Sequence, residues 1–504
     1  MASSPALSSK HTKDDVLHIT TNNFLTDPTM RYGVIAFLWI ATNPAILRYA
    51  RRSYTIHWHG LFQMRTSSED GPAFVNQCPV APTHSYTYDI PLNGQPGTFW
   101  YHSHLASQYV DGLRGPLVIY DPDDPYLDMY DVDNADTVIT LADWYHNPSI
   151  GLSETYLQVN PFHEPIPDSG LINGKGRFVG GPTVDWARIN VQPGLRYRFR
   201  IINMSGYSGY TFSIEGHSLT IIEVDGIYHE PLTVDAFDIY VGQRYSFIVH
   251  ADQPVANYWI SAPMELQHSS DNKNLDTNNV FAVLHYEGAD DGEPKSNVAS
   301  LKKGNVLEEH LLVPLRNPEA PGGSNPADRV IDLRFTRTTN DATGHLEWTI
   351  NDISYKSPDL PTLFNIMING FTEENQFSTP EHTFVLAPNE VVEVVIHGSA
   401  NAHSICTATS SPSFKVAMVP ANFINPPQRD VVGVGGSTVI IRFRADNPGP
   451  WFLHCHIDWH LEAGLAVVFA EAPKEEQSGP KSEIIKQSWV DLCTIYAALP
   501  PELQ

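Results

Sequence analysis

One stretch near the end of the chain, Trp451 to Leu465, constrains the fold and the chemistry more than any other. It reads Trp-Phe-Leu-His-Cys-His-Ile-Asp-Trp-His-Leu-Glu-Ala-Gly-Leu. In a buried strand, side chains alternate between faces, so His454 and His456 are predicted to point one way and Cys455 the other. A thiolate and the imidazole of His460 suit a blue-copper centre, and the two outward histidines suit a second copper site. The stretch therefore predicts one strand that serves two metal sites.

Two further histidine pairs of the same form occur, in His57-Trp58-His59 and in His102-Ser103-His104. With 22 histidines in the chain, chance alone predicts about one His-x-His pair, so the number by itself decides little. The setting favours metal binding over satisfied core histidines. Each pair is embedded in aromatic, strand-forming sequence, and the pair at His454 also brackets a cysteine.

From about residue 54 to its end the chain resembles the fungal laccases, which are three-domain multicopper oxidases. The matching stretches are Asp70 to Pro79, Asp111 to Leu117, Leu141 to His146 and Asp446 to Glu471. The resemblance implies an all-β fold of three cupredoxin-like domains, each a Greek-key barrel or sandwich. It also implies a one-electron oxidation of phenolic or aromatic substrates, coupled to the four-electron reduction of dioxygen to water.

The resemblance implies four copper ions per chain and assigns their ligands. Cys455 and His460 would bind the blue type 1 copper, and Leu465 would stand at its axial position without coordinating, which favours Cu(I). The remaining ligands would bind a trinuclear type 2 and type 3 cluster; they are His57, His59, His102, His104, His454 and His456. Asp70 matches an acidic residue near that cluster, where it would relay protons, and a turn aspartate before Gly-Pro is the alternative.

A fourth histidine motif of laccases, approximately His-Pro-Phe-His-Leu-His-Gly-His, is absent from the sequence. At its place, residues 402–415 read Ala-His-Ser-Ile-Cys-Thr-Ala-Thr-Ser-Ser-Pro-Ser-Phe-Lys, in which His403 is the candidate for the motif's first histidine. Codons permitted for Ile405 to Phe414 encode His-Leu-His-Gly-His in a shifted frame. We interpret residues 402–421 as a local frameshift, and a diverged loop is the alternative. Cys406 then has no role.

Residues 31–50 form a second departure, because laccases run almost directly from the equivalent of Met30 to the His-Trp-His-Gly motif. We interpret this stretch as a translated intron, and a hydrophobic helix or hairpin insertion is the alternative. The strand that laccases have before residue 13 is expected to be missing.

Short alternating segments divided by Gly, Pro and Asn indicate β domains. Asp121 to Pro125 and Ala289 to Pro294 read as polar breaks, and a helical patch at about Lys481 to Ala498 is expected to close the chain. The predicted domains are residues 1–122, 123–290 and 300–504.

Cys78 and Cys493 match a laccase disulfide that ties the C-terminus to the first domain, which implies an oxidising compartment. A second family disulfide is absent, because Val110 stands at one of its positions and no cysteine occurs at 204–210. Secretion and a role in lignin degradation are expected from the resemblance, although no signal peptide pattern is visible. The sequon Asn203-Met204-Ser205 would allow glycosylation.

The formal net charge of −26 argues against nucleic acid or an anionic membrane as a partner, and no apolar run is long enough for a membrane span. The expected partners are dioxygen and small phenolic or aromatic reductants, and the chain is expected to be a monomer. Many laccases carry an acidic substrate-binding residue in the segment that matches Gly206 to Tyr210, and here that segment has no carboxylate.

Two other functions compete with the laccase reading. A ferroxidase would oxidise Fe(II) at the same copper centres. A non-catalytic copper-binding pseudoenzyme becomes the better interpretation if the expressed protein really contains residues 402–421 as they stand in this sequence.

Overall fold

The computed structural model describes residues 7–23, 53–159, 163–297, 304–398, 405–407, 415–418, 422–436 and 438–500. Its strands fall into three consecutive groups, each built from two β-sheets, so the predicted all-β fold is confirmed. The domain boundaries near residues 122 and 290 stay predictions. The suspected insertion at 31–50 and His403 lie outside the described residues.

The first group of strands carries two of the histidine pairs. Its strands are β1 Leu7–Thr12, β2 Val16–Asn22, β3 Ile56–His59, β4 Ser85–Pro91, β5 Gly97–Ser103 and β6 Arg114–Tyr120. One sheet has the order β1-β6-β5-β3, and β2 pairs with β4. Strand β1 does precede residue 13, where the sequence indicated a missing strand, and it pairs in parallel with β6. Strands β3 and β5 are antiparallel with His57 opposite His102, so the two pairs stand side by side.

The second group forms two sheets, of orders β13-β12-β15-β10-β7-β8 and β14-β11-β16-β18-β9, with β17 paired to β11. The strands are β7 Val138–Trp144, β8 Ser169–Ile172, β9 Ala187–Val191, β10 Arg196–Asn203, β11 Gly209–Ile214, β12 Leu219–Val224, β13 Ile227–Val234, β14 Ala236–Ile239, β15 Arg244–His250, β16 Asn257–Ser261, β17 Met264–Glu265 and β18 Phe281–Tyr286. Their inward apolar side chains form one core between the two sheets. Helix α1, Ser149–Val159, crosses from this group towards the third.

The third group forms two five-stranded sheets, of orders β20-β19-β22-β26-β24 and β21-β28-β27-β23-β25. The strands are β19 Arg329–Thr339, β20 Leu346–Ile350, β21 Thr383–Leu386, β22 Val391–His397, β23 Ile405–Thr407, β24 Lys415–Met418, β25 Val431–Gly433, β26 Thr438–Arg444, β27 Gly449–Cys455 and β28 Ala466–Glu471. Trp451, Phe452 and Leu453 in β27 lie beside Val467, Val468 and Phe469 in β28, which suits a largely buried strand pair.

The short strand β23 lies directly beside β27. The register pairs Cys406 with Cys455 and Thr407 with His454. The segment that stands in place of the fourth histidine motif therefore contributes backbone next to the strand of predicted ligands.

Among the described residues, the third group also has the helices α2 Thr362–Met367, α3 Asp458–Glu462, α4 Pro473–Gln477 and α5 Gln487–Ala497. Single 3₁₀ turns occur at Ser67–Glu69, Leu127–Met129, Ala135–Thr137, Ser269–Asp271, Glu309–Leu311, Glu374–Gln376 and Thr379–Glu381. Within the described ranges, none of the helices has the length and apolar character needed to cross a bilayer.

The last helix closes the molecule onto the first domain, as the sequence predicted. Trp489 and Leu492 of α5 are buried in the core of the first group of strands. The predicted disulfide between Cys78 and Cys493 is present beside them. At the place of the second family disulfide, Val110 lies against Gly206, where an added Cβ would come within 2.7 Å of the Val110 side chain.

Candidate metal centre

Strand β27 presents its side chains to two different surroundings. His454 and His456 face histidines of the first domain, whereas the Cys455 sulfur lies 3.4 Å from Nδ1 of His460. Strand geometry causes this split, because neighbouring side chains point to opposite faces. The alternation agrees with the expectation from sequence.

Each outward histidine of this stretch meets one histidine of the first domain. Nε2 of His104 lies 3.2 Å from Nε2 of His454, and Nδ1 of His59 lies 3.3 Å from Nε2 of His456. Two nitrogen ligands bound at about 2.0 Å with near-tetrahedral angles are about 3.3 Å apart. Both spacings therefore fit nitrogen atoms that share a metal ion.

Hydrogen bonds decide which imidazole nitrogen remains available to a metal. Three rings donate their Nδ1 proton to a backbone carbonyl: His57 to Asp70 at 2.8 Å, His102 to Ser103 at 2.9 Å and His454 to Cys455 at 2.8 Å. Such a bond fixes the tautomer and leaves Nε2 as the ligand atom. The buried Nε2 of His102 has no hydrogen-bond partner, as expected of a nitrogen reserved for a metal.

Burial keeps these six imidazoles in the neutral form that binds metal. It lowers the pKa of His57 and of His454 to about 4, even though a backbone carbonyl opposes the shift at each. Burial, followed by neighbouring charged groups, lowers the pKa of His59, His102, His104 and His456 well below the usual value. Donor atoms of His57, His59 and His102 also lie within 4.8 Å of one another. The donor set fits copper, for which imidazole is a preferred ligand.

The opposite face of β27 offers one sulfur and one nitrogen in an apolar pocket. Cys455 is buried, and its N–H donates to the Leu465 carbonyl at 3.1 Å. Leu465 is fully buried beside it and has no donor atom to offer. Burial alone would lower the pKa of His460, but Cys455 and Glu164 outweigh it and raise that pKa to about 9. The pair fits a blue-copper centre without an axial donor.

Sequence reasoning missed Glu164, the residue in contact with the Nε2 edge of His460. Its Oε1 lies 3.1 Å from Nε2 of His460. Burial would raise the pKa of Glu164, yet the histidine lowers it to about 2. No periodic pattern marked this loop residue, which is 296 positions away from its partner. The segment Gly206 to Tyr210, where many laccases have an acidic residue, has none here. Its Gly206 and Tyr207 N–H groups donate to the Asp143 carboxylate.

A buried ion pair, also missed from sequence, supports His59. Arg244 binds both carboxylate oxygens of Asp430, at 2.5 and 2.8 Å. Asp430 in turn lies 3.5 Å from Nε2 of His59. The pair can hold the ring so that Nδ1 faces His456.

Asp70 lies beside His57, as its predicted role near the cluster requires. Its Oδ1 is 3.5 Å from Nδ1 of His57, and its backbone carbonyl accepts the proton of that nitrogen. Burial raises the pKa of the Asp70 carboxyl well above its usual range. The next residue, Gly71, has a φ of +99°, so Asp70 is also a turn residue. Both readings of Asp70 are thus compatible with its position.

A cavity of about 380 Å³ lies beside four of the candidate copper-binding histidines. Its wall includes His102, His104, His454, His456, Asp458 and Glu462. Burial raises the pKa of Asp458 well above its usual value and that of Glu462 to about 7. The cavity gives a small molecule room beside the histidines.

Comparison with known proteins matches three stretches of the chain to multicopper oxidase families, at residues 11–124, 135–289 and 355–475. Laccase-4 of Thanatephorus cucumeris is 52% identical over 90% of this chain and 82% of its own length. Laccase-2 of Agaricus bisporus is 44% identical over 98% of this chain and 89% of its own length.

Two solved structures are similar in fold along most of the chain. Fet3p, described as a multicopper oxidase that functions in iron import, superposes with a TM-score of 0.77 at 27% identity, over 90% of this chain and 88% of that one. The laccase from Botrytis aclada gives a TM-score of 0.75 at 29% identity, over 90% of this chain and 83% of that one.

Proposed function

The chain belongs to the multicopper oxidase family as a fungal laccase-type member, and from that premise we propose which of its residues hold copper and what they do. It is an oxidoreductase of the laccase type, and its cofactor is copper. The observation that carries the assignment is the split of β27, with two imidazoles on one face and a thiol on the other.

Cys455 and His460 hold the blue copper. The ions of the trinuclear cluster are held by the other six candidate histidines, His57, His59, His102, His104, His454 and His456. When bound, these ions supply one-electron oxidation of an aromatic reductant and four-electron reduction of dioxygen to water. Cys455 stands between His454 and His456 in the sequence, so a few covalent bonds join the two centres. Arg244 and Asp430 position the His59 ring, and the Asp70 carbonyl positions His57.

The reductant meets the protein beside the Nε2 edge of His460. Glu164 covers that edge with a carboxylate, which replaces the acidic residue that the segment Gly206 to Tyr210 lacks. A carboxylate there accepts a hydrogen bond from a phenol or an aromatic amine. This position supports small aromatic reductants as the substrate class.

The cluster described above is short of the histidines that the fourth motif supplies in laccases. The strand beside β27 consists of Ile405, Cys406 and Thr407, and none of these residues has an imidazole. The two histidine pairs each need a further ligand to complete an ordinary copper site. We interpret residues 402–421 as a frameshifted copy of that motif, whose restoration completes the centre.

Sequencing the transcript across residues 395–425 tests the frameshift. A message that encodes His-Leu-His-Gly-His at this place supports it, and an intact frame for Ser-Ile-Cys-Thr contradicts it. The same transcript decides residues 31–50, because a spliced message lacking them supports the intron and their retention contradicts it.

Copper analysis of the purified protein, together with oxygen uptake, tests the function. About four copper ions per chain and oxygen consumption with a methoxyphenol support the laccase. Faster turnover of Fe(II) than of the phenol favours the ferroxidase. One copper ion or none, without oxygen uptake, indicates the pseudoenzyme.

The proposal includes a monomer that works in an oxidising, extracellular compartment. The Cys78–Cys493 disulfide supports the oxidising setting, and the net charge of −26 opposes self-association. Sedimentation of the copper-loaded protein at one chain mass, and its recovery from culture medium, test these two points.

A further inference from the structure

A second group of potential metal ligands lies on the second domain, apart from the copper ligands. It consists of His163, His268 and Asp271, whose donor atoms all lie within 4.8 Å of one another. Nε2 of His163 is 3.8 Å from a carboxylate oxygen of Asp271. The rings of His163 and His268 are stacked, with their centroids 3.4 Å apart. His163 is half-buried, and the other two side chains are exposed.

Hydrogen bonds of one side-chain amide hold the two loops of the group together before any ion binds. The Nδ2 amide of Asn272 donates to the carbonyls of Ile166 and Pro167 and to the Asp168 carboxylate, at 3.0 to 3.1 Å. These bonds fasten the loop after His163 to the loop that contains His268. Pre-organised loops reduce the entropy lost when an ion is bound.

The backbone of His268 is strained in a way that supports a binding role. Its φ is +55°, in the left-handed region that non-glycine residues seldom adopt. The surrounding structure must hold the backbone in this conformation. His268 stands at the start of the 3₁₀ turn Ser269–Asp271, and this turn brings the Asp271 carboxylate back towards the two rings.

We propose that His163, His268 and Asp271 bind a divalent first-row cation of the Zn²⁺ or Cu²⁺ class. Two imidazoles and one carboxylate are a common ligand set for such ions, and water fills the remaining positions. The stacked rings must move apart for both to coordinate, which the exposed His268 side chain can do by rotation about χ1 and χ2.

Occupation of this site affects the loop that carries Glu164. His163 directly precedes Glu164, whose carboxylate contacts His460. An ion that joins His163 to His268 and Asp271 clamps this loop to its neighbour. The site shares no residue with the proposed copper ligands, so failure of the proposal would leave the laccase assignment unchanged.

Titration of the copper-loaded full chain with Zn²⁺ tests the proposal, with calorimetry for affinity and elemental analysis for both metals. We expect one additional Zn²⁺ per chain with no loss of copper. In His268→Gln and in Asp271→Asn the affinity should fall at least tenfold. In the control His310→Gln it should not change, because His310 is an exposed histidine outside the proposed ligand group, and its Nδ1 lies 3.6 Å from a carboxylate oxygen of Glu308.

Hydrogen exchange supplies a second readout that does not depend on activity. Zn²⁺ should slow the exchange of amides at 163–168 and 265–272 in the original chain but not in the two variants. Absence of saturable Zn²⁺ binding would overturn the proposal. So would equal affinity in all variants, which indicates adventitious binding only, or release of copper in proportion to the zinc bound.

Discussion

Nδ1 of His59 lies 3.3 Å from Nε2 of His456, although the two residues are 397 positions apart and belong to the first and third domains. His104 and His454 make the same kind of contact across the same boundary, at 3.2 Å. The candidate cluster is thus a property of two domains together. An ion shared by such a pair links the domains as well as serving the chemistry.

Removing copper should therefore lower the thermal stability of the whole chain. An ion that binds only the folded state stabilises it by about 2.7 kcal/mol at one hundred times its dissociation constant. Scanning calorimetry before and after chelation should show a fall in the melting temperature of several degrees. His102→Ala should reduce this difference, and His250→Gln, an exposed histidine of the second domain, should preserve it. Equal melting temperatures with and without copper would contradict a cluster between domains.

The sequence predicted those parts of the site that local geometry determines. Alternation along β27 follows from strand geometry, so the opposite directions of His454 and Cys455 could be inferred from residue order. The helix α5 and the Cys78–Cys493 disulfide were also foreseen, the latter through family resemblance. The histidine pairs were recognised, but nothing in the sequence stated which ring faces which.

The residues that were missed act across long separations. Glu164 reaches His460 from a loop of the second domain, and Asp430 reaches His59 from the third. Tertiary packing alone creates these contacts, because neither residue lies in a periodic pattern or next to its partner. The family resemblance drew attention instead to Gly206 to Tyr210, which has no carboxylate and whose Gly206 and Tyr207 N–H groups donate to Asp143.

Glu164→Gln should weaken substrate binding and leave the blue copper in place. The change removes the negative charge beside His460 but keeps the size of the side chain. A hydrogen bond to a charged group contributes about 1.5 to 3 kcal/mol, so the KM for a phenol should rise about tenfold or more, with a smaller change in kcat. The visible absorption per copper should stay, because Glu164 is not a ligand. The control is Glu154→Gln, an exposed glutamate on α1, and an unchanged KM in Glu164→Gln would refute this role.

A buried carboxyl pair should contribute more to the stability of the protein in acid than near neutrality. The Ser67 hydroxyl lies 2.8 Å from Glu476 and 2.9 Å from Glu483. Burial, and for Glu476 also the neighbouring Glu483, raises the pKa of both carboxyls. Their contribution to stability is full below the unfolded pKa of about 4.3 and is lost as pH rises through the raised folded values.

Glu476→Gln should accordingly be more stable than the original chain at pH 8 and equal to it at pH 4. Each unit of pKa shift corresponds to about 1.4 kcal/mol of unfolding free energy. Urea unfolding across this pH range measures the difference. The control is Glu475→Gln, which changes the adjacent glutamate on α4 and leaves the Glu476 and Glu483 pair intact. A variant destabilised equally at both pH values would show that the pair does not titrate as described.

Loss of the Cys78–Cys493 disulfide should destabilise the fold without removing the blue copper. The bond closes a separation of 415 residues and holds α5 on the first domain. Replacing both cysteines by serine should reduce the unfolding free energy by about 2 to 5 kcal/mol. Urea unfolding measures this, and the visible absorption per copper should be retained. An unchanged unfolding midpoint would mean that packing of Trp489 alone secures the helix.

The account depends most on Cys455, the thiol that separates the two imidazoles of β27, and its replacement by serine is the most direct test. Serine keeps the size of the side chain but is a poor copper ligand. In the purified Cys455→Ser protein, visible absorption and copper content should be measured beside oxygen uptake with a methoxyphenol. We expect the intense visible band to disappear, one copper ion per chain to be lost and turnover to cease. An unchanged band and unchanged turnover would contradict the account.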